Sequence, residues 1–439
     1  MTRLADPGPR LAPRRLACGA ALLAALACGD GGAPGEDGGG GGEPPPGTSF
    51  ASYLGGIADE MVRDVAVDAQ GFVYVAGRAG AGFPVTAGAL QTAFGGGVDN
   101  APYGTQDGFL CKLAPDGRSV VFCTYFGNAD NVPIRDLALG PGGDIWIVTS
   151  DDLGDFPSTW FANTAQPTIR GGRDALVARI SADGSRVVWA TYLGGSADEG
   201  NTNTIRVDRQ GNAYVAMFTH SPDAPTPNGF DGSLSGPSDT YVAKLSADGS
   251  TLLYATYVGG SGGEDTETHQ LAVDSSGNAF VAIPSTSTDF PTTAGAYQRT
   301  LRGPSDALVV KIGTAGQLLA ATYLGGSGAD GAEGVAVDAQ GNVYLSGFTR
   351  SADFPGTIAG GGGSGDDVYL AALSPSLDAL VLGARVGGSG DDRGRSVIAD
   401  GRGGVVAVGQ TTSPNFPVRN ALRSALAGPD DGVVVRLQR

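Results

Sequence analysis

Histidine and cysteine are scarce. The 439 residues contain two histidines, His220 and His269, and four cysteines. That spacing matches no zinc-ligand pattern, and no cysteine–histidine pair suited to nucleophilic catalysis is present. A G-x-S-x-G elbow and a phosphate-binding loop are also missing. The many Gly-Gly-Ser-Gly strings lack a following lysine and lead into strand-like runs, which excludes a phosphate cradle. Charged residues make up only 17% of the chain, and no long helical periodicity follows residue 30. Helix bundles and coiled coils are thereby excluded. Basic residues are outnumbered 28 to 45, a net charge of −17. Such a surface repels nucleic acid and anionic headgroups, so neither is expected as a partner.

What is abundant is glycine, at 74 residues, set between short apolar runs that alternate with period two. This is the composition of an all-β protein. The pattern repeats. Tyr-x-Gly-Gly elements begin at Tyr53, Tyr125, Tyr192, Tyr257 and Tyr323, and a sixth begins at Arg385, at spacings of 72, 67, 65, 66 and 62 residues. A near-constant period of this size marks a repeat architecture. Each unit reads as four strands, A to D. In the unit from Gly334 they are GVAVD, VYLSGFT, DVYLAAL and ALVLGARVGG. Asp338 and Gly341 supply the side-chain acceptor and the tolerance of positive φ that the A–B hairpin needs. Strand B carries a recurring aromatic (Tyr74, Trp146, Tyr214, Phe280, Tyr344), read as packing between units. Strand C carries a base (Lys112, Arg179, Lys244, Lys311, Arg436).

Four antiparallel strands repeated radially make a β-propeller blade. Six A–B hairpins are expected, at 64–79, 135–149, 204–218, 270–284, 334–349 and 396–411. Six C strands follow, but only five D strands. The missing one has a match at the other end of the chain, SFASYLGG at 49–56. The expectation is an all-β, six-bladed propeller spanning 48–439, closed by an N-terminal strand that completes the C-terminal blade and removes exposed sheet edges. The stretch YLGGSGADGAEGVAVDAQGNVYLSGFTRSADFP resembles the SBBP-type β-propeller repeat of bacterial surface and secreted proteins. That resemblance implies fold and location. It carries no catalytic residues, because the family has no single shared activity.

The N-terminus is of another kind. Arg3, Arg10, Arg14 and Arg15 precede an apolar run from Leu16 to Cys28. This reads as a secretory signal over 1–27 and is too short to span a bilayer as a helix. Ala25-Leu26-Ala27-Cys28 resembles a lipoprotein lipobox, which implies lipidation at Cys28, although the larger aliphatic residue stands two before the cysteine instead of three. Residues 28–47, GDGGAPGEDGGGGGEPPPG after the cysteine, suit a tether. Removing 1–27 takes away four arginines and one aspartate and leaves a charge of −20. An outer-membrane or cell-surface lipoprotein is expected, held to the membrane by its lipid anchor only. A secreted or periplasmic protein is the alternative.

Three sets of side chains are candidates for function. The D–A loops place Asp59, Asp130, Asp198, Asp265, Asp330 and Asp391 at near-equivalent positions, with Glu60, Glu199, Glu264, Glu333 and Asp392 beside them. If strand A lines the channel, these carboxylates ring one mouth of it, and hard oxygen ligands suit Ca²⁺. Turn chemistry at Asp after Gly-Ser is the plainer reading. His220 and His269 fall toward one face, where Asp265 or Glu267 would complete a set; isolated loop histidines are the alternative. Cys111 and Cys123 flank the APDG turn and are candidates for a disulfide outside the cytoplasm. The insertion at 94–107 and the Trp160-Phe161 pair are expected on the interaction face. The function expected is a monomeric, non-catalytic binding or scaffold module for an unknown protein or glycan at the cell envelope. An extracellular enzyme acting on a glycan at the acidic mouth is the alternative.

Overall fold

The structure, a computed structural model, describes residues 50–438 apart from 98–103, 265, 268, 357–362, 364, 402–403 and 422. The signal, Cys28 and the tether lie outside the described residues.

Six antiparallel sheets follow one another in a ring as a β-propeller. Blade 1 is β1 (Glu60–Val67), β2 (Val73–Ala79), β3 (Asp107–Leu113) and β4 (Val120–Phe126). Blade 2 is β5 (Asp136–Leu139), β6 (Ile145–Asp151), β7 (Asp174–Ile180) and β8 (Val187–Leu193), and blade 3 is β9 (Thr204–Val207), β10 (Ala213–Thr219), β11 (Asp239–Leu245) and β12 (Leu252–Val258). Blade 4 is β13 (Leu271–Val273), β14 (Ala279–Ser285), β15 (Asp306–Ile312) and β16 (Leu318–Leu324), and blade 5 is β17 (Asp330–Val337), β18 (Val343–Thr349), β19 (Asp367–Leu373) and β20 (Leu380–Val386). Blade 6 is β21 (Asp392–Ala399), β22 (Val405–Thr411) and β23 (Asp431–Leu437).

The hairpins form as their residues dictate. Asp338 Oδ1 accepts the N–H groups of Gln340 and Asn342, both at 2.9 Å, and Gly341 takes φ +84°. Asp338 Oδ2 accepts the Tyr344 hydroxyl at 3.0 Å, which ties the turn to the strand B aromatic. The strand C base completes the unit by lying over that ring, as Lys244 does at 4.7 Å from Tyr214 and Lys311 at 5.0 Å from Phe280.

The apolar core is divided among the blade junctions. Trp146 and Val148 of blade 2 pack with Ile205, Val215 and Met217 of blade 3. Tyr214 of blade 3 packs with Leu271 and Val281 of blade 4, and Phe280 of blade 4 with Val335 and Leu345 of blade 5. The recurring aromatic is therefore the inter-blade wedge expected from the sequence.

The Tyr-x-Gly-Gly element is a clasp onto the next blade. Tyr257 and Tyr323 donate their hydroxyls to the carbonyls of Ser221 and Ser287, each at 2.6 Å. The loop after the glycines then reaches the following blade. The N–H groups of Ser196, Ser261, Ser327 and Ser389 donate to Asp223, Asp289, Asp353 and Asn415, at 2.8–2.9 Å. Arg385, which stands in the tyrosine position of blade 5, donates to the equivalent carbonyl of Ser351 at 3.0 Å.

The structure does not show the expected closure. The sixth sheet has three strands, and residues 50–56 are in no strand. Phe50 nevertheless lies against Gly117 of blade 1, as Phe122 lies against Gly184 and Trp189 against Gly249 in the following blades. Leu54 packs onto the same face of blade 1, while Tyr53 is fully exposed. The segment thus holds the place, relative to blade 1, of the last strand of a preceding blade, without pairing to β23. Two attachments must be met together for closure, an apolar one to blade 1 and a hydrogen-bonded one to β23, and the first is the one made here.

Candidate functional site

The innermost strands of the blades surround the propeller axis, and each carries one residue turned out of the regular pattern. Counting back five from the residue that closes each inner strand (Asp68, Gly140, Asp208, Asp274, Asp338, Asp400) gives Arg63, Arg135, Asn203, His269, Glu333 and Arg395. In blades 1, 5 and 6 the ladder skips this residue in a bulge, between Val62 and Asp64, Ala332 and Gly334, and Gly394 and Ser396. In blades 2 and 3 the regular strand starts at the next residue, and in blade 4 two residues on, at Leu271. A bulge re-aims one side chain and strengthens the local twist. The outcome is a collar of six side chains, one from each blade.

Its members meet across blades. Glu333 Oε2 is 2.7 Å from Arg395 Nη1, and Glu333 Oε1 is 3.3 Å from Arg393 Nη1. Burial raises the Glu333 carboxyl, and the two guanidinium groups act against that. Arg135 is brought down to about 10 by burial and by the like charges of Arg63 and Arg78, so it stays cationic at neutral pH. Asn203 turns back to blade 2, donating to the Thr149 carbonyl at 2.9 Å and to Ser150 Oγ at 3.0 Å. His269 has φ +73°, a left-handed conformation that is uncommon for a side chain of this size and that occurs at functional sites.

One residue further along, Asp64 and Asp136 extend the collar. His269, Asp64 and Asp136 come from blades 4, 1 and 2, and a ligand atom from each lies within 4.8 Å of the other two. Side chains therefore meet across the axis at this level. Asp136 is fully buried. It accepts the Thr204 hydroxyl at 2.6 Å and the Ile205 N–H at 2.9 Å, and pairs with Arg206 Nη1 at 2.7 Å. Asp64 Oδ2 accepts the Leu137 N–H at 2.9 Å. Burial, then the Asp136 charge, pushes the Asp64 carboxyl up to about 8. Burial works against Asp136 as well, but Arg206, the hydrogen bond with Asp64 and the Thr204 hydroxyl outweigh it and hold Asp136 at about 2. Burial lowers His269, with Asp136 opposing. Burial thus favours the neutral forms of Asp64 and His269, while the Arg206 guanidinium favours the ionised form of Asp136. Beside it, a cavity of about 320 Å³ is lined by Asp64, Val65, Leu137, Arg206 and Val207 among others.

The six aspartates expected to ring the mouth do not form one cluster among the described residues. Asp59 and Asp198 accept hydrogen bonds through their main-chain carbonyls, from Gln106 Nε2 and the His220 N–H. Asp130 Oδ2 accepts the Asp152 N–H at 3.2 Å, and Asp391 Oδ1 the Asp366 N–H at 3.0 Å. Asp265 lies outside the described residues. Asp330 is fully buried and accepts the Gly326 N–H and the Ser351 hydroxyl, at 2.6 and 2.7 Å. In position it matches Glu199, Glu264 and Asp392, and not Asp198.

His220 is exposed and stacks edge-on against Phe218, with Nδ1 3.3 Å from the Asp198 carbonyl. The partners of His269 are the channel aspartates, so the two histidines belong to different surroundings. Cys111 and Cys123 pair directly across β3 and β4 and are joined in a disulfide. Trp160 and Phe161 turn inward instead of presenting a recognition surface. Trp160 stacks on Phe126 and Phe156, and Phe161 stacks on Tyr192 at 4.8 Å.

Two segments, residues 188–216 and 321–355, match the model of the SBBP family, described as a beta-propeller repeat. The chain therefore carries SBBP repeats on a six-bladed propeller. It is 26% identical over 230 residues to the regulatory protein FlaEY of Caulobacter vibrioides, a match that takes in 49% of this chain and 22% of that one. Among solved structures, a protein of unknown function from Dyadobacter fermentans matches with 12% identity and a TM-score of 0.43, over 83% of this chain and 94% of that one. An ulvan lyase, of a new polysaccharide lyase family, matches with 10% identity and a TM-score of 0.43, over 79% and 75%.

Proposed function

We propose that the chain is an exported, lipid-anchored propeller that serves as a non-catalytic binding or scaffold module at the bacterial cell envelope, with the collar as its recognition centre. One observation carries this reading. The turn aspartate, the strand B aromatic and the strand C base each recur in five of the six blades, while the position five before the turn holds arginine twice, then asparagine, histidine, glutamate and arginine. A position that serves packing alone would keep one chemistry. Export is supported by the basic and apolar N-terminal run and by the Cys111–Cys123 bridge, a bond that persists in oxidising compartments. The ligand is a protein or glycan reaching the axis from the loop face.

The test is a binding titration of envelope glycans against the wild type and against Arg135→Ala and Arg395→Ala. Binding without turnover, weakened at least tenfold in the collar variants, is the expected result. Equal binding by all three proteins would remove the collar from the reading. A Cys28→Ala variant should move from the membrane to the soluble fraction.

A second reading has its own support. Asp64 protonated beside an ionised Asp136 is an acid and a base in contact, as glycan chemistry requires. Turnover of a glycan that is lost in Asp64→Asn, while the fold survives, would replace the non-catalytic reading with this one.

A further inference from the structure

Three blade junctions contain a pair of buried carboxyl groups set on one glycine. Asp174 and Glu199 converge on Gly194, Asp239 and Glu264 on Gly259, and Asp306 and Asp330 on Gly325; a Cβ on any of these glycines would collide with both acids. All six acids are at least 99% buried. Their outer oxygens are well supplied with donors. Asp306 Oδ2 takes Gln298 Nε2 and the Arg302 N–H, at 2.6 and 2.9 Å. Asp174 Oδ2 takes Gln166 Nε2 and the Arg170 N–H, at 2.7 and 2.9 Å. Glu264 Oε1 takes the hydroxyls of Ser285 and Ser287, at 2.7 and 2.6 Å. Asp174 Oδ1 and Glu264 Oε2 take the N–H groups of Gly171 and Gly260, at 3.3 and 3.0 Å, but Glu199 Oε2, Asp239 Oδ1, Asp306 Oδ1 and Asp330 Oδ1 are buried without a hydrogen-bond partner.

Two carboxylates cannot both stay ionised in so dry a place. In each pair one of the two oxygens that face the shared glycine lacks a donor: Glu199 Oε2, Asp239 Oδ1 and Asp306 Oδ1. We propose that Asp174–Glu199 holds one shared proton at neutral pH and that Asp239–Glu264 and Asp306–Asp330 each hold one in mildly acidic solution, so that together they form a clasp between blades 2 and 5 that loosens as pH rises.

The surroundings agree. Burial comes first among the causes that push Glu199 up to about 8 and Asp239 and Asp306 to about 6. The titratable groups facing the pairs are mostly tyrosines, themselves raised by burial and neutral at these pH values. Tyr192 faces Asp174, Tyr241 and Tyr257 face Glu199, Tyr323 faces Glu264, and Tyr369 faces Asp306 and Asp330. Asp231 adds a like charge near Asp239, and Arg170 an opposite one near Tyr241. The fourth junction is a natural control. Arg385 replaces the tyrosine there and pairs with Asp367, so that a guanidinium supplies charge where the other pairs need a proton.

The sign follows from linkage. These acids bind protons more tightly folded than unfolded, so stability is greatest below the usual carboxylate range and falls as pH rises from about 4 to about 8. The experiment is thermal melting of the full chain between pH 5 and pH 9, with and without Ca²⁺ or EDTA. It compares wild type with a Glu199→Gln, Asp306→Asn double variant, in which an amide N–H takes the proton's place. The expected result is a wild-type Tm that falls by ~5 °C over this range and a variant whose fall is at least halved. Equal slopes would overturn the proposal. So would a Ca²⁺-dependent rise at pH 8.5 that EDTA removes, since a cation would then occupy the pairs. If the double variant fails to fold, infrared absorption of protonated carboxyl C=O groups decides, measured in an Asp64→Asn, Asp107→Asn background that removes two other buried carboxyl groups pushed up to about 8 and about 7. The band is expected at pH 7 and should fade toward pH 9, and its absence at pH 7 would end the idea.

Discussion

Strands β11 and β23 are two copies of one element. DTYVAKL and DGVVVRL both open on aspartate and end on a base and a leucine. All seven residues of β11 are buried, whereas β23 alternates between half-buried and exposed, with Val434 at 73%. The difference lies in the company. The third blade has a fourth strand and a neighbour on each side, and the sixth has a full neighbour on one side only. The first blade shows the mirror case: β1 exposes Met61, Val62, Val65 and Val67, where β17, its counterpart in blade 5, is buried over its first six residues. Burial in a repeat is a property of the junction and not of the unit, so a junction can be broken or mended without touching the repeat.

The largest effect should come from the tyrosine of the clasp. Tyr257→Ala removes a buried ring and a hydrogen bond to Ser221, and should cost ~3–5 kcal/mol in a denaturant melt. If the N-terminal segment fills the slot beside β23, a cavity of about 600 Å³ lined by Thr411, Ser413, Phe416 and Val433 among others, Tyr53→Ala should cost a similar amount. A change within ~0.5 kcal/mol would keep Tyr53 in solvent and leave the two blades different.

Next in size are the paired acids of the first two blades. Asp136→Asn leaves the Arg206 charge without its partner and should cost ~2–3 kcal/mol at pH 7. Asp64→Asn replaces a group already protonated and should stay within ~1 kcal/mol at pH 7, and become relatively stabilising at pH 9. Urea titration of both variants at the two pH values checks this.

The disulfide comes third. It braces the face of blade 1 that looks toward the sixth blade, where Phe83, Phe109 and Tyr125 pack around it. Reduction, or Cys111→Ala with Cys123→Ala, should cost ~2–3 kcal/mol, read as a Tm difference with and without reductant. The smallest effect separates two glycines of the same motif. Gly325→Ala forces a methyl group into Asp306 and Asp330 and should cost ~1–2 kcal/mol. At Gly55 the added carbon meets only the flexible end of Glu60, and the cost should be near zero.

Much of this fold is legible in the sequence, because turn residues and period-two alternation are local signals. Asp338 and Gly341 announce their hairpin, and Tyr344 its burial. The collar is harder to see, since a bulge shifts the ladder by one residue and leaves no mark on the alternation beyond a polar residue five before the turn. The same one-residue ambiguity separates Asp330 from Asp198. Both follow a Gly-Gly-Ser string, yet one is buried between two blades and the other holds a surface loop. Trp160 and Phe161 mislead for a different reason, because an aromatic in a long loop can face either way, and here Phe126 and Tyr192 offer stacking partners. The slot left beside β23 depends on contacts across nearly the whole chain, which no local pattern encodes.

The clasp from each glycine pair to the serine and aspartate of the next blade runs in one direction and has nearly the same chemistry at successive joints. Such a joint behaves as a standard coupling between interchangeable parts. A gene segment encoding one blade could be duplicated or lost at any boundary and the flanking blades would still fit. Copy number in such a lineage would be free to drift, held in check only by the angle through which each part turns the chain.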